Sequence, residues 1–355
     1  MTTPNTHLAA IIAQKGSPLS LVHRPTPKPG PTELLIRVKA IAVNPVDYYQ
    51  REYGVFIEKF PAICGSDVAG IVAEVGSEVR SDTPKPGDRV VAFASAYLYN
   101  ANPDYGAFQE YVLISQDVVA ALPDSFTFLE GSVFPMVAWT TWNGWLWAGI
   151  PRGYQCQVGE GEAKGEGDKE GVLIWGASSS IGAFAVQEAK LMGFAVYATA
   201  SVKNHEYIRG LGASRVFDYS EEGVLDRIVG AAKEDGVSIR VGFHATGSQQ
   251  LAVDVMSALS QGSVKSKLAI APMVEQDLKV PDGVETAFVL PPDDIEERDE
   301  RTRWIFGNWL QEKLESKELV VSPHVKVVEG GLASANAALD EWKAGVSCTK
   351  ILFEV

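Results

Sequence analysis

Residues 172–182, Val-Leu-Ile-Trp-Gly-Ala-Ser-Ser-Ser-Ile-Gly, have the make-up of a phosphate-binding turn. An apolar strand runs into Gly176, a small-residue turn follows, and a helix opens at Gly182. The free amides and positive dipole end of a helix N-terminus bind phosphate. Small residues let a pyrophosphate approach the backbone. Gly176 and Gly182 remain of a three-glycine fingerprint; Ser178, Ser179 and Ser180 hold the middle, with Ile181 before the last glycine. Serine hydroxyls can add donors to phosphate. A plain strand–turn–helix is the bland alternative, and the βα series around the turn favours dinucleotide binding.

The next strand tests the type of dinucleotide. An acid about 20 residues on would hold a ribose 2′-hydroxyl. Here strand 194–199 is followed by Ala-Ser-Val-Lys-Asn, with no acid. Ser201 and Lys203 suit a 2′-phosphate, through a hydroxyl and a point charge. That favours NADPH over NADH, the alternative for Lys203 being a solvated surface lysine. His244 ends strand 239–243, where ligands of α/β sheets bind, so it is a candidate lining residue. His7, His23, His205 and His324 lack ligand spacing. Cys64, Cys156 and Cys348 are far apart, with no C-x-x-C pair, which excludes a disulfide framework and a structural zinc. Sparse cysteine suits a reducing cytosol.

The elements that must position these residues fall into two patterns. Short strands at 36–43, 68–75, 89–93, 107–113 and 118–122 suggest a barrel-like β domain. Residues 128–149 read as a helix or helix pair carrying Trp139, Trp142, Trp145 and Trp147, best explained as core aromatics. Residues 153–171 are polar and glycine-rich and read as a solvated loop. From 172 to 271 strands and helices alternate: helices at 181–192, 204–211, 222–232 and 249–259, strands at 172–175, 194–199, 215–217, 239–243 and 267–271. This predicts a parallel sheet covered on both faces. A charged helix at 293–314 with a break near Gly307, a strand at 325–328, a helix at 333–342 and a strand at 350–353 complete the chain. The 355 residues suffice for about two domains. A formal net charge of −14 argues against nucleic-acid binding. No secretory signal or membrane span is expected, which places the protein in the cytoplasm.

Further blocks complete a family pattern: Asn44-Pro-Val-Asp-Tyr48, Pro61-Ala-Ile-Cys-Gly-Ser-Asp-Val-Ala-Gly70 with Val75-Gly76, Gly87-Asp-Arg-Val90 and Gly106-Ala-Phe-Gln-Glu-Tyr111. Leu211-Gly-Ala213, Val216-Phe-Asp-Tyr219, His244-Ala-Thr-Gly247 and Cys348-Thr-Lys-Ile-Leu352 follow in order. With the glycine turn, nearly the whole chain resembles the medium-chain dehydrogenase/reductase superfamily. That implies a GroES-like β-barrel catalytic domain (1–128 and 315–355) and a Rossmann doubly wound parallel-sheet domain that binds NADPH (129–314).

The zinc alcohol dehydrogenases of that superfamily carry Gly-His-Glu where this chain has Gly65-Ser-Asp67. Ser66 cannot replace an imidazole ligand, and Asn44 stands where a ligand cysteine is expected. The resemblance therefore implies the zinc-free quinone oxidoreductase and enoyl reductase branch. Within it, the chain looks most like fungal trans-acting enoyl reductases of polyketide pathways. The implied reaction reduces a conjugated carbon–carbon double bond in an enoyl thioester or enone, the acceptor being a small molecule or a carrier-bound acyl group, with a polyketide synthase as the partner the resemblance suggests. A quinone or enone reductase and a non-catalytic NADPH-binding protein are the alternatives. Family position puts Asn44, Tyr48 and Thr140 near the nicotinamide and acceptor and Tyr219 against the adenosine side. Thr141 competes with Thr140, and packing or turn-shaping are the plain readings of Tyr48, Tyr219 and Asn44. Asp67 reads as a structural hydrogen-bond or ion-pair partner. A sheet edge near 288–290, followed by Pro291-Pro292, leaves monomer and homodimer open.

Overall fold

Thr6–Ile12 (β1) and Leu19–Pro25 (β2) form an antiparallel pair, with Thr6 opposite Pro25 and Ile12 opposite Leu19. Neither strand is among those expected from the sequence. Leu19–Pro25 alternates polar and apolar residues only loosely, and most of its side chains remain partly or fully exposed. The computed structural model describes residues 3–94, 96–156, 169–260 and 264–355. They fall into two units, Met1–Trp139 with Pro292–Val355, and Thr140–Pro291.

In the first unit β3 (Glu33–Ala42), β4 (Asp67–Val75), β5 (Arg89–Phe93), β6 (Tyr111–Ser115) and β7 (Val119–Ala121) follow. The strand expected at 107–113 begins later, at Tyr111, because Ala107 and Phe108 bond to Gly65 and Cys64 outside the ladder. Between β3 and β4 lies an unexpected helix, α1 (Pro45–Tyr53). Its start was legible: Asn44 precedes it, Pro45 fits its first turn, and the Asp47 carboxylate accepts the Asn44 N–H at 2.8 Å. A short helix, α2 (Phe128–Gly131), opens on a capping box of Thr127 and Glu130, and α3 (Pro135–Ala148) follows. Trp139, Trp142 and Trp145 are buried, as expected of core aromatics. Such all-round apolarity is the mark of a buried helix.

The second unit holds β8 (Lys169–Trp175), α4 (Ser180–Leu191), β9 (Ala195–Thr199), α5 (His205–Leu211), β10 (Arg215–Phe217), α6 (Val224–Glu234), β11 (Val237–His244), α7 (Gln249–Leu259), β12 (Ser266–Ile270) and β13 (Val284–Phe288). Its six-stranded sheet has the order β10-β9-β8-β11-β12-β13, with every neighbouring pair parallel. The chain works outward from β8, then returns beside it as β11. That reversal is a topological switch point. Of the loop expected at 153–171, residues 157–168 lie outside the described residues. Residues 169–171 belong to β8, which pairs with Val237–Ile239. The glycine-turn helix starts at Ser180, two residues before Gly182, because Ser179 caps it.

The chain then enters α8 (Ile295–Arg303), a π-helical segment at Trp304–Leu310 and α9 (Gln311–Ser316). The expected break at Gly307 is thus a change of helical register rather than an interruption. β14 (His324–Val327), α10 (Ala335–Ala344) and β15 (Thr349–Glu354) return to the first unit's seven-stranded sheet, ordered β14-β15-β3-β4-β5-β7 with β6 on β3. Ile36, Val38, Val68, Val90, Phe108 and Phe353 belong to its buried core. The first unit is a β domain and the second a Rossmann-like parallel-sheet domain.

Candidate active site

Parallel pairing of β8 with β11 sets Trp175 beside His244, so the turns leaving these strands are neighbours at the sheet's carboxyl edge. Gly176 has φ +81°, and a Cβ there would meet Thr246 O at 2.6 Å. A Cβ on Gly182 would meet Gly176 O at 2.4 Å. Both positions require glycine, and the result is a backbone cradle of the kind a pyrophosphate fills. Ser179 Oγ accepts the Gly182 N–H at 3.1 Å and donates to Gly176 O at 2.9 Å. Its hydroxyl is spent on the cap; Ser178 and Ser180, half-buried like Ser179, flank it in the turn. The amides of Ser180 and Ile181 open the helix, where no intrahelical acceptor exists. Thr199, which sequence reasoning passed over, holds the turn from β9: its hydroxyl accepts the Gly176 N–H at 2.9 Å.

Ser201 and Lys203 follow β9 and Tyr219 follows β10, at the same edge of the sheet. Ser201 leads a 3-10 turn, Val202–Asn204, and its Oγ accepts from Asn204 Nδ2 at 3.1 Å. Lys203 is exposed, and Tyr219 is 47% exposed. His244 is buried, with Nε2 3.2 Å from Gly247 O. Burial pushes its pKa down to about 4, so the imidazole is neutral near pH 7. It acts there as a hydrogen-bonding group rather than a cation.

Thr140 and Thr141 are separated by their partners. Thr141 is fully buried and hydrogen-bonds to Glu188 on α4. Its hydroxyl is therefore engaged within the unit, and Thr140 beside it is also buried. Glu188 was not foreseen; its signal is a single acid in the otherwise apolar helix face of 181–189.

In the first unit three strands converge on a buried polar cluster. Ala42 lies opposite Asp67 on one side and Leu352 on the other. This register carries Lys350 up to Asn44 and Asp67. Lys350 Nζ donates to Asn44 Oδ1 at 2.6 Å and lies 3.2 Å from Asp67 Oδ2. Asn44 Nδ2 donates to the same Asp67 oxygen at 2.8 Å. Asp67 Oδ1 accepts the Met136 N–H in the first turn of α3 at 2.6 Å. Burial raises the Asp67 pKa, opposed first by the Lys350 ammonium. Three donors, one of them cationic, suit the ionised form. Asp67 thus makes the ion pair expected of it, while the Asn44 amide is engaged on both its atoms. Asp47 is fully buried, and burial pushes its pKa up to about 7. Lys350 was legible only as one charged residue entering an apolar terminal strand.

Tyr48 is buried, and its ring lies 5.5 Å from that of Trp342, with the Arg51 guanidinium and the Lys343 ammonium each 5.3 Å from its centroid. The packing reading of Tyr48 is therefore realised on at least one face of the ring. Among the described residues no group of His, Cys, Asp and Glu is arranged to hold a metal ion. The Asn44 amide is engaged by Lys350 and Asp67, and Ser66 is buried.

Residues 30–124 match the alcohol dehydrogenase GroES-like domain. The chain is 42% identical over 348 residues to the trans-enoyl reductase tndF of Aspergillus flavipes, spanning 98% of each. It is 44% identical over 288 residues to the trans-enoyl reductase tazE of Aspergillus terreus, spanning 80% of this chain and 92% of that relative. The quinone oxidoreductase of Coxiella burnetii shares the fold, with a TM-score of 0.71 at 22% identity over 99% of each chain. These likenesses and the cradle agree: the chain is an oxidoreductase of the medium-chain dehydrogenase/reductase superfamily and belongs to its family of fungal trans-enoyl reductases.

Proposed function

We propose that the protein uses NADPH to reduce the double bond of an α,β-unsaturated acyl thioester, acting in trans on an intermediate tethered to a polyketide synthase. One observation carries the reading. The glycine cradle lies at the switch point of a parallel sheet, in a chain 42% identical over nearly its whole length to a trans-enoyl reductase. Gly176, Gly182 and the Ser180 and Ile181 amides would hold the pyrophosphate, with Ser178 and Ser180 adding hydroxyl donors. Ser201 and Lys203 would take the 2′-phosphate, which an acidic protein must capture with local positive potential. Tyr219 would cover the adenosine side and His244 would line the cradle.

NADPH, when bound, supplies a hydride from C4 of its nicotinamide to the β-carbon of the acceptor. The chain's own contribution is to hold the two reactants face to face. Thr140 would orient the carboxamide by hydrogen bonding. The acceptor would then carry negative charge on its thioester oxygen until a proton drawn from water adds at the α-carbon. Asn44 and Tyr48 are the proposed residues on the acceptor side. Asn44 is held by Lys350 and Asp67, so it acts from a fixed position.

A panel of matched enoyl thioesters and quinones tests the reading through steady-state NADPH oxidation. Turnover of the thioesters is expected, and turnover of quinones alone would replace this function with quinone reduction. β13 is one edge of the parallel sheet and a candidate for pairing between copies, and sedimentation distinguishes monomer from homodimer.

A further inference from the structure

Glu188 is fully buried on α4, eight residues after the Ser180 that opens the helix. Its Oε2 accepts the Trp145 Nε1–H at 2.8 Å, and its carboxyl also hydrogen-bonds the Thr141 side chain. Thr141 and Trp145 are four residues apart on α3, so they share one helix face. A single carboxyl therefore grips α3 at two successive turns. Among the described residues no Lys, Arg or His nitrogen lies within ion-pair distance of it. Burial without a cation pushes its pKa far up. The bonds from Thr141 and Trp145 oppose that rise, and Glu188 Oε1 has no hydrogen-bond partner of its own.

Apolar packing already presses α3 onto the sheet. Trp145 lies 5.4 Å from the Phe243 ring, and a Cβ on Gly144 would meet Phe243 at 2.4 Å. Interdigitated packing resists separation and part of the rotation of a helix about its axis. Directional hydrogen bonds to one face resist rotation. Thr140 directly precedes Thr141, about 100° around the helix. The angle of α3 thus decides where Thr140 points relative to the cradle at the start of α4.

We propose that Glu188 is a positioning residue, clamping α3 to α4 through Thr141 and Trp145 so that Thr140 is held in its orientation relative to the glycine cradle. The inference rests on reading that cradle as the NADPH site. It adds a residue with no direct contact to the cofactor.

The test is NADPH affinity by fluorescence titration and the split of kcat from KM, for wild type, Glu188→Gln, Glu188→Leu and Thr141→Val. Glu188→Gln keeps an acceptor and a donor and is expected within twofold of wild type in both. Glu188→Leu is expected to weaken NADPH binding and lower kcat by about tenfold each, the scale of one lost hydrogen bond. Thr141→Val, which removes one hydroxyl only, is expected to lower kcat several-fold and serves if the leucine variant does not fold. Wild-type affinity and kcat in folded Glu188→Leu or in Thr141→Val would overturn the clamp, as would a Gln variant as impaired as the Leu variant. A wild-type protein that fails to bind NADPH would overturn the cofactor reading itself, and the inference with it.

Discussion

Each unit buries a carboxyl among polar partners of its own, and the two solve the same problem differently. Asp67, in the β domain, meets an ammonium, an amide and a backbone N–H. Glu188, in the parallel-sheet domain, meets an indole N–H and a hydroxyl. The first site can keep its charge because a countercharge is buried with it. The second has no countercharge, and burial pushes its pKa up. The lesson is that burial alone does not say what a carboxyl does. Its partners decide whether it is half of an ion pair or a polar hinge-pin, and they decide what its loss would cost.

The largest effect should come from removing the countercharge. Lys350→Met leaves Asp67 buried and unpaired, and should destabilise the fold by about 3–5 kcal/mol in urea unfolding. Adding Asp67→Asn to that variant should restore part of the loss, since the orphaned charge is gone. A double variant as unstable as the single one would break the ion-pair half of the comparison.

A conservative amide swap at each carboxyl sharpens the contrast. Asp67→Asn in the otherwise wild-type chain strands the Lys350 ammonium and should cost about 3 kcal/mol or more. Glu188→Gln should change stability by about 0.5 kcal/mol or less, because no charge is removed. Equal costs at the two sites would erase the distinction drawn here.

Asp47 offers a pH-resolved version of the same test. Its folded pKa, about 7, is raised above the ordinary carboxyl value of 3.8, chiefly by burial. The folded state therefore holds this proton more tightly than the unfolded chain does. Its contribution is fully present below about pH 4 and is lost as pH rises through about 7. Asp47→Asn does not titrate, so its thermal stability relative to wild type should improve steadily over that window and level off above it. A difference independent of pH would show that Asp47 ionises like an exposed acid.

The smallest effect concerns an exposed charge. Lys203→Ala should weaken NADPH binding by about tenfold while leaving NADH binding and stability unchanged. Equal losses for both cofactors would count against a 2′-phosphate contact.

What the sequence revealed follows the same physical divide. The βα series, the glycine turn and the core tryptophans were legible because they depend on local pattern and residue size. The strands β1 and β2 were not, since their pairing lies outside the alternation rule that exposes other strands. The helix α1 was readable in its Asn-Pro-x-Asp start but hidden in a stretch taken for chemistry. Asn44 stands out in the sequence as a candidate site residue, and Asp67 as a structural hydrogen-bond or ion-pair partner. Their shared partner Lys350 lies 283 residues beyond Asp67, and only the sheet register brings it there. Glu188 was invisible for the same reason, because its meaning depends on which face α3 presents to α4.

The central claim, that hydride passes from NADPH to a conjugated acyl double bond, is tested most directly by isotope transfer. The protein is incubated with an α,β-unsaturated acyl thioester and NADPH carrying deuterium on one or the other face of C4. The account predicts one deuterium at the β-carbon of the saturated product, from one of the two labelled cofactors. A product without deuterium at that carbon from either cofactor, or no saturated product while a quinone is reduced, would contradict it.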